Sequence, residues 1–578
     1  MLKAGYPSRQ RPPRNQRPQL VDLAPEVLLH ILDHLHRKKW LRSFLLVCKP
    51  FYHLALPKLY HRIEWTMTDH DGENDPDLDL KLLQMLDKDN AGLKHIRELV
   101  LCDEVELTKS YHDIQQYTDA VLFAYLLPRD TLTAFHWESK HSPLSKIYRT
   151  LISRQCSLTN IELNRSSGSV DYVFGHGSFS IVRGLRNIDR LCLMPDVDEE
   201  VPEVACELLQ QHRQIRHLEI DLFCMLDIED EEKAPYRSMD AMQTLFTGFK
   251  LAPLSLVTLH LDRVNLKNSL QDLGPALRLE AMKELKIIQC KHADIFLTAL
   301  LRETTSLQES PMQLERLIIY YDQSEDVARD PAMIRDPDPI ITALNVFLMS
   351  NRGALHEIWI CLRGFQNLPT ATSIAKHGST LKWLFLDVRR TNGTRAIPYP
   401  WTDWGILCQS LKVLQQLDSA FPSVVADGNF RMHSDFVKHI RATTDISGLQ
   451  VLGITDHPFQ LGTDPQHHDA NRGSMFDPIY RPMMCELAKM ILSAQPIWLG
   501  NIKKSLKIIT FGVSEVYERA GRTSASSTMI FARSQVKVLD GEQEVSMEEV
   551  KPPRSNYYTI WRVRREYDIH AFAEGYLE

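Results

Sequence analysis

The side chains that come closest to a catalytic spacing in this chain are histidines. His30 and His34 stand four residues apart, so on a helix both fall on one face and could share a metal ion. A zinc hydrolase with that spacing carries a glutamate directly after the first histidine as its general base. Here Ile31 follows His30. His467-His468, with Asp464 and Asp469, collects four ligating side chains on a loop-like stretch that fixes no geometry. Gly175-His-Gly177 continues as Ser-Phe-Ser, which is neither a dinucleotide nor a phosphate loop. No Gly-x-Ser-x-Gly elbow and no Walker-type Gly-Lys-Ser/Thr occurs. The histidines therefore read as solvated side chains. No catalytic residue, metal ligand or cofactor is expected, and a metal-dependent hydrolase is the last of the alternatives.

The bulk properties agree with a binding protein. With 578 residues, 44% hydrophobic and 24% charged, the chain has ordinary globular composition and room for several domains or one repeat array. A net charge of -7 argues against wholesale nucleic-acid binding. No apolar run approaches the ~18 residues that span a bilayer, so no membrane partner is expected. The first 19 residues are rich in Arg, Pro and Gln, lack a signal-peptide core and read as a disordered basic tail. The ten cysteines show no Cys-x-x-Cys pairing, as free thiols in a cytoplasmic or nuclear protein would.

Elements that could position a binding surface begin at Leu23. Val27, Leu28, Ile31, Leu32 and Leu35 follow helical spacing; Leu41, Phe44, Leu45, Val47 and Cys48 form a second apolar set, and Phe51, Leu54, Ala55, Leu59 and Tyr60 a third. Asp22 is a candidate cap, Pro25 fits a first turn and Glu26 complements the helix dipole there. Arg37-Lys38-Lys39 is a polar break, and Pro50 predicts that the second helix stops at Lys49. Three short helices in roughly 45 residues bury only about 60% of their unfolded surface. The apolar residues exceed what so small a core needs, and the surplus face calls for a partner.

This segment resembles an F-box. Leu23, Pro25, Glu26, Val27, Leu28, Ile31 and Leu35 follow the family's opening pattern, and Val47-Cys48-Lys49 with Phe51 follow its second half. The ending Leu54-Ala-Leu-Pro57-x-Leu59-Tyr60 is similar to that common in filamentous-fungal members. Ala24 stands where the family usually has Pro, and Lys39-Trp40 replaces its usual Asp-Leu. The resemblance implies docking on a Skp-family adaptor, and through it on cullin. Its anchors, matched by position, would be Leu23, Pro25, Leu28, Ile31, Leu35, Leu45, Val47, Cys48 and Phe51. Which of these instead build the module's own core is left open.

After about residue 90 one pattern, hydrophobic-x-x-hydrophobic-x-hydrophobic, returns along the chain. Copies begin at Ile96, Leu132, Leu158, Ile188, Ile215, Leu256, Met282, Leu314, Leu355, Leu381, Leu449 and Leu506, with a weaker one at Leu411. The last two apolar positions alternate as in a short strand with one buried face. Helical segments such as Ala120–Leu127 and Ile341–Met349 lie between copies. One strand and one helix cannot bury a core alone, so neighbouring units must stack. The pattern resembles the leucine-rich repeat, and Leu285-Lys-Ile287-Ile-Gln-Cys290 matches it through the final Cys. Most copies are spaced from 26 residues (Leu132 to Leu158) to 41 (Leu314 to Leu355), with a longer step of 57 from Leu449 to Leu506, wider than the family's usual span of about 20–29. The array should be irregular, with inserted loops.

The loop-like insertions are 196–203, 227–233 and 322–338, read as acidic, and 392–404 and 455–481. The acidic ones would favour a target with a basic patch. Near the end, Met529–Phe531, Val536–Val538 and Tyr557–Val563 read as strands, with Asp540-Gly541 a hairpin turn.

The expected fold class is α/β. A basic tail (1–19), a three-helix F-box (20–65) and a linker (66–90) precede an irregular leucine-rich-repeat-like solenoid (91–515) with parallel strands on its concave face. A β-rich cap (516–578) closes it. The implied function is substrate recognition for a Skp–cullin–F-box ubiquitin ligase, with the repeats holding an unknown protein target. A non-degradative interaction scaffold is the main alternative.

Overall fold

The structure is a computed structural model. It describes residues 23–33, 38–67, 87, 89–103, 126–138, 151, 153–164, 187–193, 206, 209–221, 253–264, 266, 276–306, 312–322, 339–390, 396–422, 433–455, 473–492, 506–511, 529–539 and 542–550. These fall into two compact units, Met1–Glu138 with Lys146–Leu158, and Ser139–Ser145 with Thr159–Glu578. The fold is mixed α/β, with N-terminal helices and parallel strands. The basic tail, Asp22, the acidic insertions at 196–203, 227–233 and, after Asp322, 323–338, and the expected strand at 557–563 lie outside the described residues.

The first unit opens with α1 (Pro25–Asp33), α2 (Lys38–Leu45) and α3 (Lys49–Tyr60). Pro25 takes the first helical position and Glu26 the first turn, as their chemistry dictates. The boundary expected at Lys49 falls elsewhere. α2 ends at Leu45, Leu46-Val47 form a turn, and Lys49 begins α3 with Pro50 in its first turn. A proline ring that is costly mid-helix is tolerated there, because its missing N–H has no helical acceptor. Leu32, Leu41 and Ala55 form the helices' core, with Phe44, Leu45, Leu54 and Leu59 packed against it. Phe44 stacks on Phe51 at 4.2 Å between ring centroids, and Lys58 of α3 pairs with Asp33 at the end of α1. Residues expected to finish the helical module instead start β1 (Arg62–Met67), which runs parallel to β2 (Glu98–Asp103) with Ile63 opposite Leu99. β3 (Ala134–Glu138) follows, parallel to β2.

The second unit contains β4 (Asn160–Asn164), β5 (Arg190–Leu193), β6 (His217–Asp221), β7 (Thr258–Asp262), β8 (Glu284–Ile288), β9 (Arg316–Asp322) and β10 (Glu357–Arg363). Then come β11 (Trp383–Arg389), β12 (Gln416–Ser419), β13 (Val451–Ile454) and β14 (Ile508–Phe511). Each pairs in parallel with the next in chain order. Leu259 lies opposite Leu285, as neighbouring repeat strands require. Among the described residues, helices join the strands from β8 onward: α4 (Ala293–Ser306), α5 (Pro339–Ser350), α6 (Ala371–Ala375), α7 (Trp401–Ser410), α8 (Ser434–Thr443) and α9 (Gly473–Leu492). α4 to α8 pack successively on one another. The helix expected at 341–349 is α5. The stretches 392–404 and 455–481, read as loops, contribute the first turn of α7 and the first half of α9. Antiparallel β15 (Met529–Leu539) and β16 (Glu542–Val550) end the sheet, with Leu539 opposite Glu542 across the Asp540-Gly541 step. β16 lies where the Asp540-Gly541 hairpin signal calls for a returning strand, although its own residues do not read as one.

One hydrogen-bond device recurs at the strand starts. The first two N–H groups of a lead-in converge on one carbonyl of the preceding lead-in: Lys283 and Glu284 on Val257, Glu315 and Arg316 on Lys283, His356 and Glu357 on Glu315, Lys382 and Trp383 on His356. The first apolar residue of each hexapeptide sits just before this fork and is buried throughout, from Ile96 to Leu506. The device also corrects the frame of the weak copy. Gln415 and Gln416 donate to Lys382, and Leu417 pairs with Leu384, so that copy runs Leu414-Gln-Gln-Leu417-Asp-Ser419 and not from Leu411.

No helix among the described residues is long and apolar enough to cross a membrane. Cys48, Cys156, Cys206, Cys290, Cys361, Cys408 and Cys485 are free thiols.

Close stacking of units leaves no room at one glycine and spare room at another. A Cβ on Gly353 would lie 2.6 Å from the Leu314 backbone nitrogen and 2.7 Å from the Gln313 carbonyl carbon. Gly405, inside α7, has nothing within 4 Å of an added Cβ. Gly353→Ala should destabilise the protein by about 1–3 kcal/mol, whereas Gly405→Ala should stabilise it by up to about 1 kcal/mol. Urea unfolding of both variants checks the pair; equal effects would contradict this packing.

Candidate docking surfaces

In the first unit the structure sorts the residues expected to meet an adaptor. Leu28 and Phe51 are buried among the helices and serve the module's own core. Leu23, Ile31, Leu45 and Cys48 are half-buried, and Leu45 packs against the core cluster. Pro25 is exposed, and Val47 is 61% exposed. Leu35 lies outside the described residues, as does His34, the second member of the histidine pair. The exposed apolar set is wider than the motif positions. Leu46, 88% exposed beside Val47, is joined by Val27, Leu29, Trp40 and Tyr52. Helical spacing alone missed Leu46, because it sits in the turn between α2 and α3 where neither helix period applies.

In the second unit the two faces of the parallel sheet differ in chemistry. Leu259, Leu261, Leu285, Ile287, Leu317 and Ile319 are fully buried along one face. The alternate positions face the other way. In register they read His217, Thr258, Glu284, Arg316, Glu357 in one row, and Glu219, His260, Lys286, Ile318, Trp359, Phe385 in the next. The apolar end of this face is a separate cluster: Ile288, Ile318, Tyr320, Trp359, Cys361 and Phe385. Trp359 and Phe385 meet at 4.7 Å between centroids.

The charged end is a chain of cross-strand ion pairs. Arg316 of β9 bridges two strands, with Nη1 at 3.0 Å from Glu284 and Nε at 2.6 Å from Glu357. Glu219 of β6 accepts from His260 Nδ1 at 2.7 Å, with an Arg190 nitrogen at 3.6 Å. Burial works against ionisation of Glu219, but the His260, Lys286 and Arg190 charges outweigh it and hold its carboxyl well below the usual range. Burial also lowers the His217 imidazole, against the pull of Asp189, and His217 Nδ1 lies 3.0 Å from Thr258 Oγ1. At the other end, Gly453 opposes Asp418 in register, and a side chain there would strike that carboxylate. Burial raises the Cys361 thiol above its ordinary range, so it is an inert packing residue.

Among the described residues no group of three or more His, Cys, Asp or Glu is placed to hold a metal ion. The His467-His468 stretch lies outside them. Comparison with protein-family models and with curated proteins returned no match for this chain.

The lowered Glu219 carboxyl has a signed consequence. A carboxylate whose folded pKa lies below its unfolded value stabilises the fold above that unfolded value, and the contribution fades as pH falls beneath it. Glu219→Gln should therefore cost about 1 kcal/mol near neutral pH. The gap to the parent protein should narrow as pH falls below about 4.3. Urea unfolding across that range measures it, and a flat gap would show that the Glu219 charge contributes nothing.

Proposed function

We propose that this chain is the substrate-recognition subunit of a Skp–cullin–F-box type ubiquitin ligase. The α1–α3 module docks on the Skp-family adaptor, which bridges to cullin. The strands from β4 onward form a leucine-rich-repeat-like solenoid, and their polar face, its concave side in this reading, holds a protein target. The chain's contribution is then proximity and orientation rather than bond chemistry. The observation that carries the reading is the Leu46-Val47 turn: two apolar side chains, 88% and 61% exposed, within the segment that follows the F-box order of residues. A helical module that hides Leu28, Leu32 and Phe51 yet presents Leu46, Val47, Trp40 and Val27 has the surplus apolar face that a partner covers.

Within this reading, Leu46→Asp with Val47→Asp places two charges in an apolar interface at a cost of several kcal/mol. Capture of the adaptor and cullin should be lost while circular dichroism and the melting temperature stay unchanged. Leu28→Asp should instead unfold the module. Undiminished adaptor capture by the double variant would overturn the docking assignment.

A further inference from the structure

The sheet ends on a long edge. β16 runs nine residues, Glu542–Val550, against four in β14. Among the described residues it pairs with β15 alone. An edge strand of that length presents a row of backbone N–H and C=O groups to a further strand, and proteins usually shorten, charge or cover such edges. Register assigns its two faces. Leu317, Ile358, Leu384, Leu417, Leu452 and Ile509 stand opposite one another along the buried leucine row. Phe531 continues that row opposite Ile509, and Glu549 stands opposite Phe531. By alternation Met547, Val545 and Gln543 share the leucine face, while Glu548, Ser546, Glu544 and Glu542 take the polar one. A strand that fits this edge therefore carries apolar residues opposite Val545 and its neighbours, and basic residues opposite Glu542 and Glu544.

That pattern stands in the sequence a few residues on, outside the described residues: Tyr557-Tyr-Thr-Ile-Trp561-Arg-Val-Arg-Arg565. Trp561 and Val563 alternate with Arg562 and Arg564. Five residues, Lys551-Pro-Pro-Arg-Ser555, separate Val550 from Asn556, a length that hairpin loops use. Setting Asn556 opposite Val550 brings Trp561 opposite Val545, Val563 opposite Gln543, Arg562 opposite Glu544 and Arg564 opposite Glu542. A slip of one residue would move both arginines to the leucine face, and a slip of two would keep only one of the two charge pairs. We propose that residues 556–564 add to the outer edge of β16 as a further antiparallel strand in this register, and so close the sheet. A second copy of the chain fits the same edge poorly, because the four glutamates of β16 would meet their own like charges. The inference is independent of adaptor docking and of any target.

Hydrogen exchange of the full-length chain, read by mass spectrometry, tests it. Segments 542–549 and 557–564 should be protected together, to the same degree at every protein concentration. Arg564→Glu should speed exchange in both about fivefold, by turning an opposed charge pair into a repulsion. Adding Glu542→Arg to that variant should restore protection, whereas adding Glu548→Arg, opposite Tyr558 in this register, should not. Glu542 stands opposite Leu539 on β15, so its reversal meets no like charge on that side. Exchange of 557–564 at the rate of an unstructured peptide would mean that the glutamates alone guard the edge, and would overturn the proposal. So would protection that Arg564→Glu leaves unchanged, or that Glu548→Arg restores as well as Glu542→Arg does. Protection of β16 that rises with protein concentration would give the edge to a second copy instead.

Discussion

The structure depends on one repeated constraint, the shared carbonyl that recurs at the starts of the parallel strands. Two successive N–H groups of a lead-in point at a single oxygen of the lead-in before it, as Glu315 and Arg316 do at Lys283. That fork fixes where the next strand begins relative to the last. Because side chains alternate faces, a slip of one residue would send Leu317 and Ile319 to the polar side and Arg316 and Ile318 into the leucine core. The fork and the buried first apolar residue together hold the register over strands of only a few residues, which have little ladder of their own to specify it.

This is why so much of the sheet was legible in the sequence. The hexapeptide encodes both parts of the device: its first apolar residue anchors the lead-in, and its fourth and sixth give the period-two strand. The copy near Leu411 shows the limit. Leu411, Leu414 and Leu417 are evenly spaced by three, so apolar pattern alone allows two frames, and only the backbone bonds of Gln415 and Gln416 choose between them. β16 was legible only through the Asp540-Gly541 turn before it, and not from its own residues, for a related reason. It pairs at the end of the sheet with β15 alone, and its glutamates show no apolar alternation.

The candidate sites were less legible, because they are made by residues the repeat pattern ignores. The polar face consists of the x positions between the leucines, and Glu219, His260 and Lys286 become neighbours only through register across three strands. In the sequence they are separated by the length of whole repeats, and none is distinctive alone. The N-terminal module presents the opposite difficulty. Its motif lists apolar residues without saying which point inward. Leu28 and Phe51 fill its core, while Leu46, in a turn and outside the motif positions, is the most exposed of the large apolar side chains among the described residues.

The charged rows also show how one face of a sheet can carry many charges and keep them paired. Each buried or half-buried charge needs a partner on a neighbouring strand, or its desolvation would destabilise the sheet. Arg316 meets that need completely, bridging Glu284 and Glu357, and has little left for a ligand. The Glu219 site does so unevenly: the carboxylate is oversupplied with cations, while His260 gives it only one of two ring nitrogens. Pairing that stabilises the strands thus exhausts the charge at this position before it exhausts the hydrogen-bonding capacity.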